Sequence, residues 1–302
     1  MVSHRVPWLT VELSVIVTSY ESPQTLRTCL ESLTGQPEAG EIWVADCSAV
    51  NPQEILGPLF PGVRFLHFEG VRSVPALRWA AYFATRGDLV AAVEARCIPS
   101  ARWCAEIIDA HRRFPETPAI GGPVDVASPA TGADLGLYFC EYGLFLPPGD
   151  DTGVPAISGA NLSYKRAALE EARDLLQAGE WETLLHARWL QSGRMLRFGR
   201  ATVVFENTMT AETALRQRFH YGRGYAGDRL RGRGLPVRLL FGLGTAALPA
   251  LLLWRLTAAA ARSGRGRDFL RALPWTVLFC LAWSLGELAG YLSGPPRRAR
   301  IF

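Results

Sequence analysis

The chain of 302 residues contains a single lysine, Lys165, among its 32 Lys plus Arg, and we read that scarcity as a trait of genome composition. Its six cysteines (Cys29, Cys47, Cys97, Cys104, Cys140 and Cys280) make no CxxC pair and no zinc-ligand spacing. That argues against a disulfide scaffold and against a zinc site. No GxSxG and no GxxxxGK[ST] occurs, so a serine-hydrolase elbow and a phosphate-binding loop are both missing. The five histidines form no close ligand set: His67 lies in an apolar strand pattern, His111 and His186 in helical ones, and structural roles are expected for them. The opening "MVSHRVPWLTVELSVIV" lacks a charged start followed by an apolar core and a small-residue cleavage site. No signal peptide is expected, which places the folded part in the cytosol.

What is present divides the chain in two. Apolar residues make up 49% and charged residues 20%, greasier than an ordinary soluble domain. From Arg216 onward there are 15 Arg against three acids, Asp228, Asp268 and Glu287, a net +12; the whole chain is +4, so the remainder is −8. The basic part also holds the long apolar runs. Arginine around apolar runs marks a membrane-associated segment facing anionic lipid. Nucleic acid, the competing partner for basic charge, does not account for the runs between the arginines, and no nucleic-acid partner is expected.

Over residues 12 to about 130, short β-branched runs alternate with helical periods. "LSVIVTSY" reads as a buried strand. Ser22 and Pro23 then begin a helix with Leu26, Leu30 and Leu33 on one face. "EIWVAD", "VRFLHF" and "DLVAAV" are three more strands, and "SVPALRWAAYFATRG" and "SARWCAEIIDAHRRF" two more helices. Such alternation predicts an α/β fold, a mainly parallel sheet with helices on both faces. Ligands bind such sheets at the carboxyl ends of the strands. Thr18, Tyr20 and Glu21 close the first strand, Asp46 and Ser48 the second, Glu94 and Arg96 the fourth. Singly, each is an ordinary turn or cap residue. Together they suggest a nucleotide site.

"LSVIVTSYES", "EIWVADCS", "VEARCIP" and "ISGANLSYKR", in that order and spacing, resemble the family 2 glycosyltransferases with a GT-A (Rossmann-like) fold, over roughly Leu13 to Glu206. The resemblance implies a nucleotide-diphosphate sugar donor and transfer to an acceptor with inversion. It gives Glu21 and Asp46 to the nucleoside, where a carboxylate accepts hydrogen bonds from a base edge or ribose hydroxyls. Arg78 matches a position that commonly carries Arg near the donor, where its fork suits a phosphate; a surface helix arginine is the other reading. The family's Asp-x-Asp, whose carboxylates bring a divalent metal (Mg or Mn) to the diphosphate, is here Glu94 and Arg96. Three readings stay open: a metal on Glu94, Arg96 in its place, or a lapsed motif. Gly159 and Asn161 border the acceptor side in the family, an ordinary turn being the alternative.

An inverting transfer needs a base for the acceptor hydroxyl. Glu182, in "EWETLLHARWLQSG", falls at the family's catalytic Asp position relative to Arg188 and Gly193. The usual acidic pair is replaced by Trp181 and Glu182. A helix residue paired with His186 at i+4 is the commoner fate of such an acid.

Beyond Glu206 the composition changes. "TAETALRQRFHYGRGYAGDRLRGRG" has the makeup of a helix on a membrane surface. Its "QRFHY" is similar to the QxxRW motif of processive members, with His220 and Tyr221 in the last two places, and no polymerase is inferred. "LLFGLGTAALPALLLW" with "RLTAAAA", and "LPWTVLFCLAWSLGELAGYLSG", each approach the ~20 residues that cross a bilayer. The four Arg of "RSGRGRDFLR" between them oppose the positive-inside tendency, which helices lying in or re-entering the leaflet would resolve. Glu287 is expected to meet an Arg, a partner chain or a headgroup rather than lipid.

The expected organisation is a GT-A domain over 1–207, an amphipathic interfacial helix over 208–234 and a membrane region over 235–302 with helices at about 237–260 and 273–293. The expected activity is inverting transfer of a sugar to a lipid-linked or membrane-proximal acceptor at the cell membrane, with the catalytic domain on the cytoplasmic side and lipids as partners. A non-catalytic nucleotide-sugar-binding or membrane-complex subunit is the alternative. A nucleotidyltransferase ranks third, because the Gly-rich basic N-terminal loop usual in such enzymes is absent.

Overall fold

The structure, a computed structural model, describes residues 12–230 and 232–293. Residues 1–11, where no signal peptide is expected, and 294–302, the end of the expected membrane region, lie outside the described residues. Two compact units emerge, the first from Met1–Gly70, Pro75–Pro123 and Gly149–Val203, the second from Val71–Val74, Val124–Pro148 and Val204–Phe302. The second unit is therefore wider than the stretch beyond residue 207, because it takes in 124–148.

The chain begins β1 (Leu13–Ser19), α1 (Pro23–Thr34), β2 (Glu41–Asp46), α2 (Pro52–Leu56), β3 (Val63–His67), α3 (Val74–Tyr82) and β4 (Leu89–Glu94). It continues through β5 (Cys97–Pro99), α4 (Trp103–Arg113), β6 (Ala119–Gly121), β7 (Val124–Val126), α5 (Gly132–Tyr142) and β8 (Thr152–Val154). Then come β9 (Asn161–Lys165), α6 (Arg166–Glu170), α7 (Arg173–Gln177), α8 (Glu182–Gln191), β10 (Leu196–Phe198) and β11 (Val203–Phe205). Four helices follow: α9 (Ala211–Arg229), α10 (Leu235–Gly244), α11 (Leu248–Arg262) and α12 (Gly266–Ser293).

In the first unit an eight-stranded sheet runs β3-β2-β1-β4-β9-β6-β10-β8. β1 is parallel to β2 and β4, β2 to β3, and β6 to β10. β9 is antiparallel to both of its neighbours, as β8 is to β10. Every residue of β1 is buried, as expected of a strand in the middle of a parallel block. "ISGANLSYKR" contains β9 and leads directly into α6. Ser22 stands at the N-cap of α1 without a side-chain cap bond; its Oγ donates to the Tyr20 carbonyl (2.7 Å), and Pro23 supplies the helix start.

A buried polar knot closes the amino edge of the sheet. Glu41 Oε1 accepts from Ser14 Oγ (2.6 Å) and the Arg86 N–H (2.5 Å), and Oε2 from Trp43 Nε1 (3.1 Å) and Arg64 Nη1 (3.0 Å). Burial pushes the Glu41 carboxyl up, but these donors outweigh it and hold it below its usual value.

In the second unit α12 packs along α9 and α5, and α10 and α11 also lie against it. Glycine permits the α9–α12 approach: a Cβ on Gly222 would collide with the Trp283 carbonyl, one on Gly286 with the Phe219 carbonyl, and one on Gly290 with the Arg223 carbonyl. So α9, expected at a membrane surface, has a face committed to α12. The first expected membrane helix is broken into α10 and α11, bent by 52°, with Pro249 in the first turn of α11 where it needs no donor. The second starts at Gly266, ahead of the expected 273, because Pro274 sits inside the helix at the loss of one hydrogen bond. That draws Arg267 and Arg271 out of the expected connection and into α12. Among the described residues α12 is long and apolar enough to cross a bilayer, as are α10 and α11 only if taken together. Glu287 is buried on α12, accepting from Trp283 Nε1 (2.5 Å) and Tyr291 Oη (2.9 Å), and Arg229 Nη1 donates to the same Tyr291 Oη (3.4 Å). The expected arginine is thus one residue removed.

Candidate active site

The carboxyl edge of the parallel strands lies wholly within the first unit. Register pairs Ser19 with Asp46, Asp46 with His67, and Thr18 with Glu94, so the polar ends of four strands form one row. β1, between β2 and β4, is where chain order switches direction across the sheet, the usual place for a ligand crevice.

Asp46 is buried, its side chain 2% exposed. Its Oδ1 accepts from the Ser48 N–H (2.8 Å) and from His67 Nδ1 (3.1 Å), and its Oδ2 from Ser48 Oγ (2.7 Å). Its oxygens are thus engaged, and the half-buried Ser48 and His67 are what it sets at the rim. Sequence reasoning gave His67 a structural role; its signal was its place at the end of a strand adjacent to β2, legible only once strand order is known. Glu21 is exposed, with φ +46, an uncommon backbone for a residue other than glycine. The Glu21 N–H donates to Ser48 Oγ (2.7 Å) and Glu21 Oε1 accepts from the Ala49 N–H (2.6 Å), which staples the loop after β1 to the loop after β2. Tyr20 is half-buried beside it.

Glu94 ends β4 and Arg96 sits in the two-residue turn before β5. The turn is fixed by the Ala95 N–H, which donates to the Thr18 carbonyl (2.9 Å), and α1 packs on β5 behind it. Arg96 Nη2 lies 3.9 Å from Glu94 Oε2, with the side chains 16% and 25% exposed. Thr18 Oγ1 is buried and has no hydrogen-bond partner among the described residues.

A third grouping joins residues expected in separate roles. Arg78 is not a surface residue: its side chain is 1% exposed and Nη1 donates to Glu182 Oε2 at 2.8 Å. Its Nη2 donates to the Gly159 carbonyl (2.8 Å), and a Cβ on Gly159 would collide with Glu182 Oε1, so this position needs glycine. Trp79 Nε1 donates to the Glu180 carbonyl (2.7 Å), pinning the entry to α8. Glu182 does not pair with His186, whose Nε2 lies 3.0 Å from Tyr164 Oη. Burial lowers His186 to about 4, Glu182 pulling it up and Arg78 down. Asn161 belongs to the core. It accepts from Trp103 Nε1 (2.9 Å) and donates to the carbonyls of Pro123 (2.9 Å) and Ala201 (2.7 Å), which takes it away from the expected acceptor side.

The chain matches the family model for "Glycosyl transferase family 2" over residues 14–172, more than half its length. It belongs to that family. A mannosyltransferase from Pyrobaculum calidifontis, PcManGT, solved in complex with GDP-Man and Mn2+, aligns over 96% of this chain and 91% of its own at a TM-score of 0.54 and 15% identity. At that identity the likeness is one of fold. A CMP:2-keto-3-deoxy-manno-octonic acid synthetase complexed with CTP aligns over 64% of this chain and 90% of its own, with TM-score 0.44 and 11% identity. No curated protein matches the chain.

Against the divalent ion that the family pattern implies, the donor set of this glycosyltransferase fits poorly. The turn after β4 offers one carboxylate, and a guanidinium stands beside that same carboxylate. Among the described residues no three of His, Cys, Asp and Glu gather to hold an ion. Hard cations want several oxygen ligands and net negative charge, and the turn offers a single carboxylate with a guanidinium 3.9 Å away.

Proposed function

We propose that this family 2 glycosyltransferase moves a sugar from a nucleotide-diphosphate donor, with inversion, to a lipid-linked or membrane-proximal acceptor. The observation that carries the reading is the row of polar strand ends from His67 through Asp46 and Thr18 to Glu94, stapled by Glu21 and Ser48 at the switch in strand order. Ser48, His67, Tyr20 and Glu21 face the nucleoside, Arg96 the diphosphate. Glu182 takes the proton of the acceptor hydroxyl as that oxygen bonds to the anomeric carbon. The bond from that carbon to the phosphate oxygen breaks, and the nucleoside diphosphate leaves with the electron pair. Arg78 holds the Glu182 carboxylate in place and Gly159 leaves room for it.

Membrane attachment rests on α12 and on the exposed Leu240, Leu243, Trp254, Leu270, Leu278 and Leu285 among the C-terminal helices. With the net +12 of this part, they favour a cell-membrane enzyme with its catalytic domain on the cytoplasmic side, against anionic lipid.

The buried Arg78–Glu182 pair favours a second reading, a nucleotide-sugar-binding subunit without turnover in which Glu182 is structural. Glu182→Gln separates the two. In the full chain in detergent, with sugar nucleotides and a membrane-lipid extract, nucleoside diphosphate release should fall roughly 10²- to 10⁴-fold while donor affinity stays unchanged. Measurable turnover that is indifferent to the substitution removes Glu182 as base.

A further inference from the structure

We propose that Arg96 stands in for the divalent cation, so that this chain binds the diphosphate of its donor without metal. The inference rests on the donor-cleft reading above, and its observations come from one turn. Arg96 is held on the short connection between β4 and β5, which the Ala95 N–H ties to the Thr18 carbonyl at 2.9 Å. With 16% of its side chain exposed, it is accessible to a ligand. Glu94 Oε2 lies 3.9 Å from the Arg96 guanidinium, on the same turn. Beside Glu94 in the register, the buried Thr18 hydroxyl has no partner among the described residues, which leaves a donor at the strand end for a ligand oxygen to accept.

The chemistry follows from the side chain. Guanidinium remains charged at any working pH and presents a planar fork of donors that matches two phosphate oxygens. As the anomeric carbon–oxygen bond breaks, its electron pair passes to the diphosphate, and charge grows on the oxygens such a fork would hold. A preorganised cation at that point supplies the stabilisation that a metal supplies elsewhere. Glu94 is then a positioning residue. A metal ion bound there would instead have to share one carboxylate with a guanidinium.

The test is calorimetric titration of the full chain in detergent with GDP, UDP, CDP, ADP and dTDP, each with EDTA and with Mn2+. At least one nucleotide should bind with an affinity that chelator leaves unchanged. In EDTA, Arg96→Ala should weaken that binding by about 10- to 100-fold, and Arg96→Lys, which keeps charge but loses the fork, by less. Arg96→Asp restores a carboxylate pair: it should bind poorly in EDTA, recover with Mn2+, and show bound Mn2+ by electron paramagnetic resonance where the parent shows none. Circular dichroism keeps misfolded variants apart, and the parent's response to chelator decides without them. Parent binding that needs Mn2+, or an Arg96→Ala chain that binds as well as the parent in EDTA, overturns the inference and leaves the donor cleft standing. No binding in either condition takes both down.

Discussion

Glu41 and Asp46 are the first and last residues of the same strand, both buried carboxylates wrapped by hydrogen bonds, yet they do different work. The donors to Glu41 are Ser14, Trp43, Arg64 and the Arg86 N–H, three side chains of strands and one backbone group on the approach to β4. The donors to Asp46 are Ser48, through its backbone and hydroxyl, and His67, which are half-buried where strands give way to loops. Neither the number of hydrogen bonds nor the exposure of the partners tells the two apart, since Arg64 at the amino edge is 51% exposed and His67 at the carboxyl edge 20%; the edge of the sheet on which each acid lies does. At the amino edge the knot ties neighbouring strands together. At the carboxyl edge, under the proposed function, the buried acid positions Ser48 and His67 for a nucleoside.

A third buried carboxylate, Glu182, gives the largest effect with which to challenge that division. Arg78→Leu leaves it in the interior without a counter-charge and should cost about 3–5 kcal/mol, read by chemical unfolding. Arg78→Leu combined with Glu182→Leu should recover most of that loss, since a well-packed apolar pair in the place of a buried ion pair is close to neutral. A double variant as stable as the parent but without turnover would show that the pair is kept for chemistry.

Next in size is Glu41→Ala, which strands the Ser14 hydroxyl, the Trp43 indole N–H and the Arg86 N–H. We expect a loss of about 3 kcal/mol with nucleotide affinity unchanged. Affinity that falls with stability would erase the distinction between the two ends of β2.

Much of this division was legible in the sequence. Strands β1 to β4 are apolar runs with polar terminators, and a parallel sheet gathers such terminators at one edge. What could not be read was lateral order: that His67 ends the strand next to β2, or that Arg78, on a helix a hundred residues earlier, reaches Glu182. Asn161 misled for the same reason. Its motif marks a segment close to the site, but whether a short amide side chain turns toward a cleft or into the core depends on Trp103, Pro123 and Ala201, which no local pattern connects to it. The apolar character of the C-terminal helices was legible in composition. Their ends were misplaced because Pro274 is tolerated inside a helix and Pro249 helps to start one.

Two histidines add a smaller, pH-dependent test of how much of β9 is structure. Burial lowers His111, bonded to Ser163, to about 3, with nearby Lys165 lowering it further, and lowers His186, beside Tyr164, to about 4. Both stay neutral in the folded chain, whereas unfolded histidine takes up a proton near 6.5. Their contribution is therefore complete above about pH 6.5 and is lost as pH falls toward the folded values. Between pH 6.5 and 5 that is about 2 kcal/mol for each histidine. Hydrogen exchange at β9, corrected for intrinsic rate, should show this decline, and His111→Gln should halve its slope. A parent profile flat across the window would refute the buried, neutral assignment.

Asp46→Asn should give the smallest effect and the sharpest comparison. The substitution keeps the shape of the side chain and its place beneath Ser48 and His67, but one oxygen becomes an NH₂ that can no longer accept. Either the Ser48 hydroxyl or the His67 ring must turn, and Ser48 also receives the Glu21 N–H, so the staple between the two loops loosens at the surface, leaving the core in place. We expect roughly a tenfold loss of nucleotide affinity, about 1.4 kcal/mol, with unfolding little changed, the reverse of the pattern for Glu41→Ala. His67→Ala should produce a similar loss of affinity, and the two substitutions combined less than the sum of their separate effects, because both act on one cluster. Full additivity in that cycle would mean that Asp46 meets the nucleoside independently of His67, and the carboxyl edge would then bind by its buried acid directly.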